Sequence, residues 1–312
     1  MAEITLLQFD NDGDPVYFDT EYTAVGRTGK GISAPLIVET TELGRGYLKD
    51  TREVDDSDDL EIAINYLGRL LGIRMADEYR VFEHDMRIGL LSLDVACGDY
   101  NFTDMRTVSG VAWRRYSEDG ISRPKWMLRW VELTRQRAYP ELEDNVEFIC
   151  SCDQDCLDAL LLPLRIVLTL CSDGMLYSQF EEAYLSMLLF DYIIGQTDRT
   201  LDNYGLIHDT NFTFYTLAPL FDNATLSKPY LADGLCSING MILEREHVLQ
   251  ALIDLKPRRV LSLITKMRNN LNNGFDRFIS VITAICENPI QKDRLKSNVV
   301  KAYDRLCSLI IS

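Results

Sequence analysis

Histidine is scarce in this sequence: His84, His208 and His247 are the three among 312 residues. So few imidazoles leave no clear base for a serine or cysteine nucleophile, and a hydrolase triad lacks support. Cys150, Cys152 and Cys156 put three thiols together, but no fourth ligand follows at zinc-like spacing, so a metal site is not expected there. Positive charge is also short, with 32 Lys and Arg against 48 Asp and Glu, a formal net charge of −16. Such a surface repels a nucleic-acid backbone or an anionic membrane, so direct nucleic-acid binding is not expected. Long apolar runs are missing as well. The stretches from Leu157 to Cys171 and Ala183 to Ile194 are broken by Asp158, Pro163, Arg165 or Asp191 and fall short of a bilayer span. No basic region opens the chain at Met1 to Thr5, so a secretory leader is not expected. The eight cysteines are scattered through a chain too large to need staples, which fits reduced thiols and a cytoplasmic location.

What is present is an ordinary globular composition, 46% hydrophobic and 26% charged, long enough for about two compact units. Short β-prone runs at Ile4 to Phe9, Val16 to Val25, Ala34 to Val38, Gly46 to Leu48, Tyr79 to Phe82 and Ile88 to Leu93 predict a small sheet. One helix interrupts it, where Leu60, Ala63, Ile64, Leu67, Leu70 and Leu71 recur at helical spacing before Gly72. Beyond Cys97 the period changes to helical: Leu157 to Leu170, Gln179 to Ile194 with Ser178 and Glu181 as a capping box, His247 to Asp254, Val260 to Arg268, Phe275 to Cys286 and Ile290 to Leu309. A hairpin, Tyr204 to Ile207 and Phe212 to Leu217, is embedded in that series. The expected fold class is α+β and bilobed, like a protein kinase. A small, mainly β N-lobe would span residues 1–95, and a larger, mainly α C-lobe with its β-hairpin 96–312.

The segment richest in chemistry is Gly195-Gln-Thr-Asp198-Arg-Thr-Leu-Asp-Asn203, followed after the hairpin by Pro219-Leu-Phe-Asp222. Phosphoryl transfer needs a carboxylate to take the proton of the attacking hydroxyl, the role that suits Asp198. It also needs oxygen ligands for Mg2+, and Asn203 and Asp222 supply one neutral and one anionic group. The hairpin is expected to carry Asp222 back beside Asn203. Upstream, Lys49 ends a short strand and Glu61 lies in the helix that follows; a strand lysine fixed by a helix carboxylate can reach nucleotide phosphates. Two readings of Glu61 stay open, since Asp58 three residues earlier would also make it the partner in a capping box. Lys49 alone reads as an edge-strand charge. Gly26-Arg-Thr-Gly29-Lys30 is a glycine-rich turn between strands, where backbone amides could approach phosphates, though it is not a Walker A loop. Asp94 and Val95, where the sheet lobe ends, mark the place of a hinge to adenine.

These segments resemble the HipA-like serine/threonine kinases, including their compact CtkA-like type, with a D-x-H-x-x-N catalytic loop and a metal aspartate in a P-x-[FY]-D context. Asp198, Asn203 and Asp222 match those positions, with Thr200 where the family has histidine. Lys49 matches the strand lysine, and Glu61 through Leu71-Gly72 the pattern that closes in L-G. Thr23, Gly26 and Lys30 map onto the family's S-x-x-G-x-x-x-K loop, with Thr28 at the usual glutamine. The likeness spans Thr23 to Ser227 and implies ATP and Mg2+ as cofactors, a protein substrate with a Ser/Thr acceptor, and Thr23 as a candidate autophosphorylation site. It also implies a cognate regulatory, antitoxin-like partner, although the glycine-rich turn comes too early for the larger members' N-terminal subdomain. A lipid or small-molecule kinase, which shares the D-R-x-x-x-N order, and a nucleotide-binding pseudokinase acting as an interaction module are the alternatives.

Overall fold

The apolar alternation in Ile4 and Leu6 already requires a strand with one face in a core. In the computed structural model that core is the inside of a barrel. The structure describes residues 2–28, 35–50, 57–96, 100–118, 153–170, 174–196, 199–211, 215–221, 223, 234–239 and 241–311. Two compact units form: the first takes Met1–Val95, Pro219–Ser227 and Thr265–Ser312, the second Ala96–Ala218 and Lys228–Ile264. The sequence division at residue 95 places the last two segments of the first unit elsewhere.

In the first unit, β1 (Ala2–Phe9), β2 (Pro15–Arg27), β3 (Leu36–Thr40), β4 (Gly44–Asp50), β5 (Glu78–Glu83) and β6 (Met86–Leu93) close in the order β1-β2-β3-β4-β6-β5. Every neighbouring pair is antiparallel. The expected small sheet is therefore a closed barrel, which leaves no edge strand open. Ile4, Leu6, Val38, Leu48, Tyr79, Val81, Ile88 and Leu91 fill its interior. Helix α1 (Ser57–Leu71) links β4 to β5 and is buried on all sides from Asp59 to Leu67. A helix so enclosed must satisfy its polar groups locally. Asp59 does so with Arg80 and with Arg87 at 3.2 Å, and Asn65 donates to the carbonyl of Ala76 at 2.7 Å.

The second unit holds α2 (Met105–Glu118), α3 (Asp153–Leu170), α4 (Gly174–Ile194) and α5 (Arg245–Leu255). Two small sheets accompany them: β7 (Asn101–Asp104), β8 (Gly205–His208) and β9 (Tyr215–Leu217) in the order β7-β8-β9, and the pair β10 (Leu235–Ile238) and β11 (Met241–Glu244). The expected hairpin is present as β8 and β9, with β7 added on its other side. Helix α4 starts at Gly174, four residues before the expected cap at Ser178, so the capping box does not form. Instead Glu181 is buried mid-helix and takes Lys256 at 2.9 Å and Arg259, while Ser178 accepts from Arg259 at 2.8 Å.

The segments expected as two helices, Val260 to Arg268 and Phe275 to Cys286, are one helix, α6 (Pro257–Ile285), followed by α7 (Pro289–Ile311). The Asn-rich stretch between them stays helical because Leu271 is buried and Gly274 meets α1 at close quarters; a Cβ there would lie 2.2 Å from Leu70. Helices can pass this closely only where a side chain is missing. Among the described residues Cys236, Cys286 and Cys307 form no disulfide. Among the described residues no helix is long and apolar enough to cross a membrane.

Among the described glycines of the second unit, Gly205 stands closest to other backbone. A Cβ on it would fall 2.3 Å from the carbonyl oxygen of Thr103 and 2.8 Å from Cα of Asp104, neither of which is a movable side-chain tip. Gly205→Ala is expected to part β7 from β8 and cost about 1–3 kcal/mol or more. Urea unfolding followed by circular dichroism checks this, and an unchanged midpoint would contradict it.

Candidate functional site

Strand alternation places the first pair. Leu48 points into the barrel, so Lys49, its neighbour in β4, must point out of it. There Lys49 Nζ meets both carboxylate oxygens of Glu61, at 3.1 and 3.4 Å. Glu61 is buried, whereas Lys49 keeps 26% of its side chain exposed. Of the two open readings of Glu61, the structure takes the ion pair. Helix α1 begins at Ser57, so Asp58 is already inside it and not at its cap.

Gly26 and Arg27 still belong to β2, which shifts register between Ala24 and Gly26. The expected turn therefore starts only at Thr28, whose amide donates to the carbonyl of Pro35 at 3.0 Å. Gly29 and Lys30 lie outside the described residues. Thr23 is exposed on β2 opposite Glu39. At the hinge position, the Asp94 amide donates to the carbonyl of Arg45 at 2.9 Å, and Val95 is half-buried. Burial, and then the Asp94 carboxylate, push the Tyr47 hydroxyl above its usual pKa.

In the second unit the loop that carries Asn203 is pinned from three sides. Helix α4 stops where Gly195 turns left-handed, at φ +71, and the Gln196 amide reaches back to the carbonyl of Asp191 at 2.9 Å. The same Asp191 offers its carboxylate to Arg199, with Nε to Oδ2 at 2.9 Å and Nη2 to Oδ1 at 2.8 Å. Arg199 is 0% and Asp191 1% exposed, a buried bidentate pair. Arg199 also donates through Nη1 to the carbonyl of Asn203 at 3.1 Å, closing the loop on itself. Burial pushes the Asp191 carboxyl above the usual carboxylate range, and the Arg199 guanidinium opposes that shift.

The second side is α2. Its first amides, of Met105 and Arg106, donate to the carbonyls of Tyr204 and Leu201 at 3.0 and 3.1 Å, so the loop caps the helix. Arg106 Nε adds bonds to both oxygens of Asp202, at 2.8 and 2.9 Å. The third side is the β10–β11 turn, where Asn239, at φ +53, takes the Tyr204 hydroxyl and donates to that of Tyr184 at 3.2 Å. Burial raises the pKa of both tyrosines, so they remain neutral hydrogen-bonding groups. His208 is structural too: its Nδ1–H faces the carbonyl of Asp209, leaving Nε2 to accept from the Thr103 hydroxyl at 2.7 Å.

Asp198 and Asp222 lie outside the described residues, while Asn203 is half-buried within the pinned loop. The hairpin returns as expected as far as Ala218, whose amide donates to the carbonyl of Gly205 at 2.9 Å. Among the described residues no three His, Cys, Asp or Glu side chains form a metal cluster. Sequence reasoning missed Asp191, Arg199 and Asp202. The signal for the first two was available: one carboxylate inside an apolar helix, eight residues before an arginine. A charge in such a run needs a partner.

The fold has a solved counterpart. The chain superposes on the crystal structure of the proinflammatory kinase CtkA of Helicobacter pylori with a TM-score of 0.60, covering 94% of this chain and 97% of that one at 11% identity. The chain has the CtkA fold. A second match is HipA of Shewanella oneidensis MR-1, solved with HipB and operator DNA, at a TM-score of 0.48 and 12% identity. It covers 92% of this chain, which spans only 63% of that HipA. No family model matches the sequence, and no curated protein matches it as a relative. The CtkA fold is thus kept here by a sequence that shares little of its residue identity.

The buried pair makes a sharp test possible. Arg199→Met leaves Asp191 buried without its cation and is expected to cost about 3–5 kcal/mol. Adding Asp191→Leu removes the orphaned charge and is expected to recover much of that loss. Denaturant unfolding of the three variants measures the cycle, and purely additive losses would show that the two side chains do not depend on each other.

Proposed function

We propose that this protein is an ATP- and Mg2+-dependent kinase that transfers the γ-phosphoryl group to serine or threonine hydroxyls of protein, itself included. The observation that carries the reading is the Lys49–Glu61 pair, a lysine side chain partly open to solvent and fixed by a buried carboxylate. A cation held in this way suits nucleotide phosphates, because its position is set before the ligand arrives. The CtkA fold supports the same reading.

The residues present fit the cofactors by their chemistry. Lys49 would hold the phosphates, with Gly26, Gly29 and Lys30 around them and Asp94 and Val95 toward the adenine. Asn203 and Asp222 would hold Mg2+, a hard cation that takes oxygen ligands. When bound, Mg2+ neutralises charge on the phosphate oxygens. Asp198 takes the proton of the acceptor hydroxyl. Its neighbour in sequence, Arg199, is held by Asp191. Thr23, exposed on β2, is the proposed self-modification site.

Lys49→Met and Glu61→Gln are each expected to lower transfer, and the double variant to lose less than the product of the two effects, since both break one interaction. Asp198→Asn is expected to cut transfer by about 10²–10⁴-fold while ATP still binds. Filter-binding and labelled-phosphate assays read the two separately. Full activity in Glu61→Gln would reduce the pair to a structural contact. Full activity in Asp198→Asn would remove that residue from the reaction.

A further inference from the structure

The first unit holds a second polar site that phosphoryl transfer does not use. A cavity of ≈ 300 Å3 is lined by Asp10, Tyr66, Arg69, Asn270, Asn273 and Arg277, among others. That is the lower end of the range for small-molecule sites, about 300–1,000 Å3. It lies against α1 and α6 beneath the turn between β1 and β2.

Its lining is rich in donors, against the acidic balance of the chain as a whole. Arg277 Nη1 donates to the carbonyl of Asn11 at 2.8 Å and meets the exposed carboxylate of Asp12 at 3.4 Å, and Nη2 donates to the carbonyl of Asn273 at 3.1 Å, which orients the guanidinium and leaves further N–H groups. Among the described residues Arg69 donates to the Phe9 carbonyl, at a long 3.4 Å. Burial lowers its pKa, and Asp77 is the first of the acidic neighbours that oppose the shift. Asn270 donates one amide hydrogen to the carbonyl of Leu71 at 3.3 Å and keeps the other. The carboxylate in the lining is engaged elsewhere: Asp10 Oδ1 accepts the amides of Asp12 and Asp14 at 2.9 and 3.0 Å and so serves the turn.

The independent sign of a ligand is Tyr66. Its side chain is only 3% exposed, yet its hydroxyl has no hydrogen-bond partner among the described residues. The hydroxyl sits close under Gly13 and Arg277, since a Cβ on Gly13 would lie 3.2 Å from it and 3.6 Å from Cβ of Arg277. A buried hydroxyl left unpaired is unfavourable, and phenylalanine would fill the same space without that cost.

We propose that this cavity binds the phosphate group of a small molecule, held by Arg69 and Arg277 with help from Asn270, Asn273 and the Tyr66 hydroxyl. The number of donors favours phosphate over carboxylate, because three terminal oxygens can use them where two cannot, and guanidinium groups match phosphate geometry. Free phosphate and a phosphate monoester share this chemistry.

Calorimetric titration of the full-length chain with inorganic phosphate, glycerol 3-phosphate and acetate tests the proposal and separates the sources. Saturable binding of one or both phosphates, with acetate far weaker, is expected. Arg277→Gln and Tyr66→Phe are each expected to weaken it about tenfold, from the loss of one charge-assisted hydrogen bond. Lys49→Met, in another part of the unit, is expected to leave this binding unchanged, which separates the cavity from the proposed nucleotide site. Tyr66→Phe should also raise the Tm of the protein without phosphate and shrink the further rise that phosphate gives. Phosphate binding that survives both cavity variants, binding lost in Lys49→Met alone, or no saturable binding at millimolar phosphate would each overturn the proposal. An equal Tm gain in Tyr66→Phe with and without phosphate would do the same.

Discussion

The charge of Arg199, wholly withdrawn from water, is the constraint on which the second unit is organised. An arginine in that position is tolerable only with a carboxylate in matching geometry, so Asp191 must stand in the apolar last turns of α4. Once the pair forms, its remaining donor holds the carbonyl of Asn203, and the loop cannot drift from the helix. The amides of α2 then find their acceptors on a surface already fixed, and the Tyr204 hydroxyl donates to Asn239 of the β10–β11 turn. Gly205 follows from the same arrangement, because a loop set this close to β7 leaves no room for a Cβ.

The first unit rests on a different rule, the two-residue period of a strand. Leu48 enters the barrel and Lys49 leaves it, so one residue of register decides whether the lysine meets α1 at all. Closure of the barrel makes that register hard to change. The enclosed helix α1 answers with Glu61 for Lys49 and Asp59 for Arg80 and Arg87. Buried carboxylates on α1 thus meet the cations that the strands present. Farther along α1, Tyr66 and Arg69 turn toward a separate cavity, so one helix serves two polar sites.

Much of this was legible in the sequence where period and burial agree. The strands of the barrel and the apolar face of α1 follow their expected spacings to within a few residues, and the kinase-like outline is borne out by the CtkA fold. The closure of the barrel was not legible, since it depends on which distant strands pair. Strands β7, β10 and β11 are four residues each, too short to show a period. Ser178 and Glu181 carry a cap signature but spend their polar groups on Arg259, because tertiary pairing outranks the local motif. The Asn-rich middle of α6 reads as a break until the close passage at Gly274 shows why it stays helical. The Lys49–Glu61 contact was one of the two readings that residue type and spacing left open. Asp191 and Arg199 left a trace, a charge inside an apolar run, whereas Asp202 escaped because its bond to Arg106 exists only once loop and helix are folded together.

The account turns on the claim that this scaffold moves phosphate to a hydroxyl. Incubation of the unmodified chain with γ-labelled ATP and Mg2+, followed by phosphoamino-acid analysis of the chain and of a protein acceptor, measures it most directly. Acid-stable label on serine or threonine, dependent on Mg2+, is the result the account predicts. Tight nucleotide binding with no label on any protein hydroxyl would contradict it.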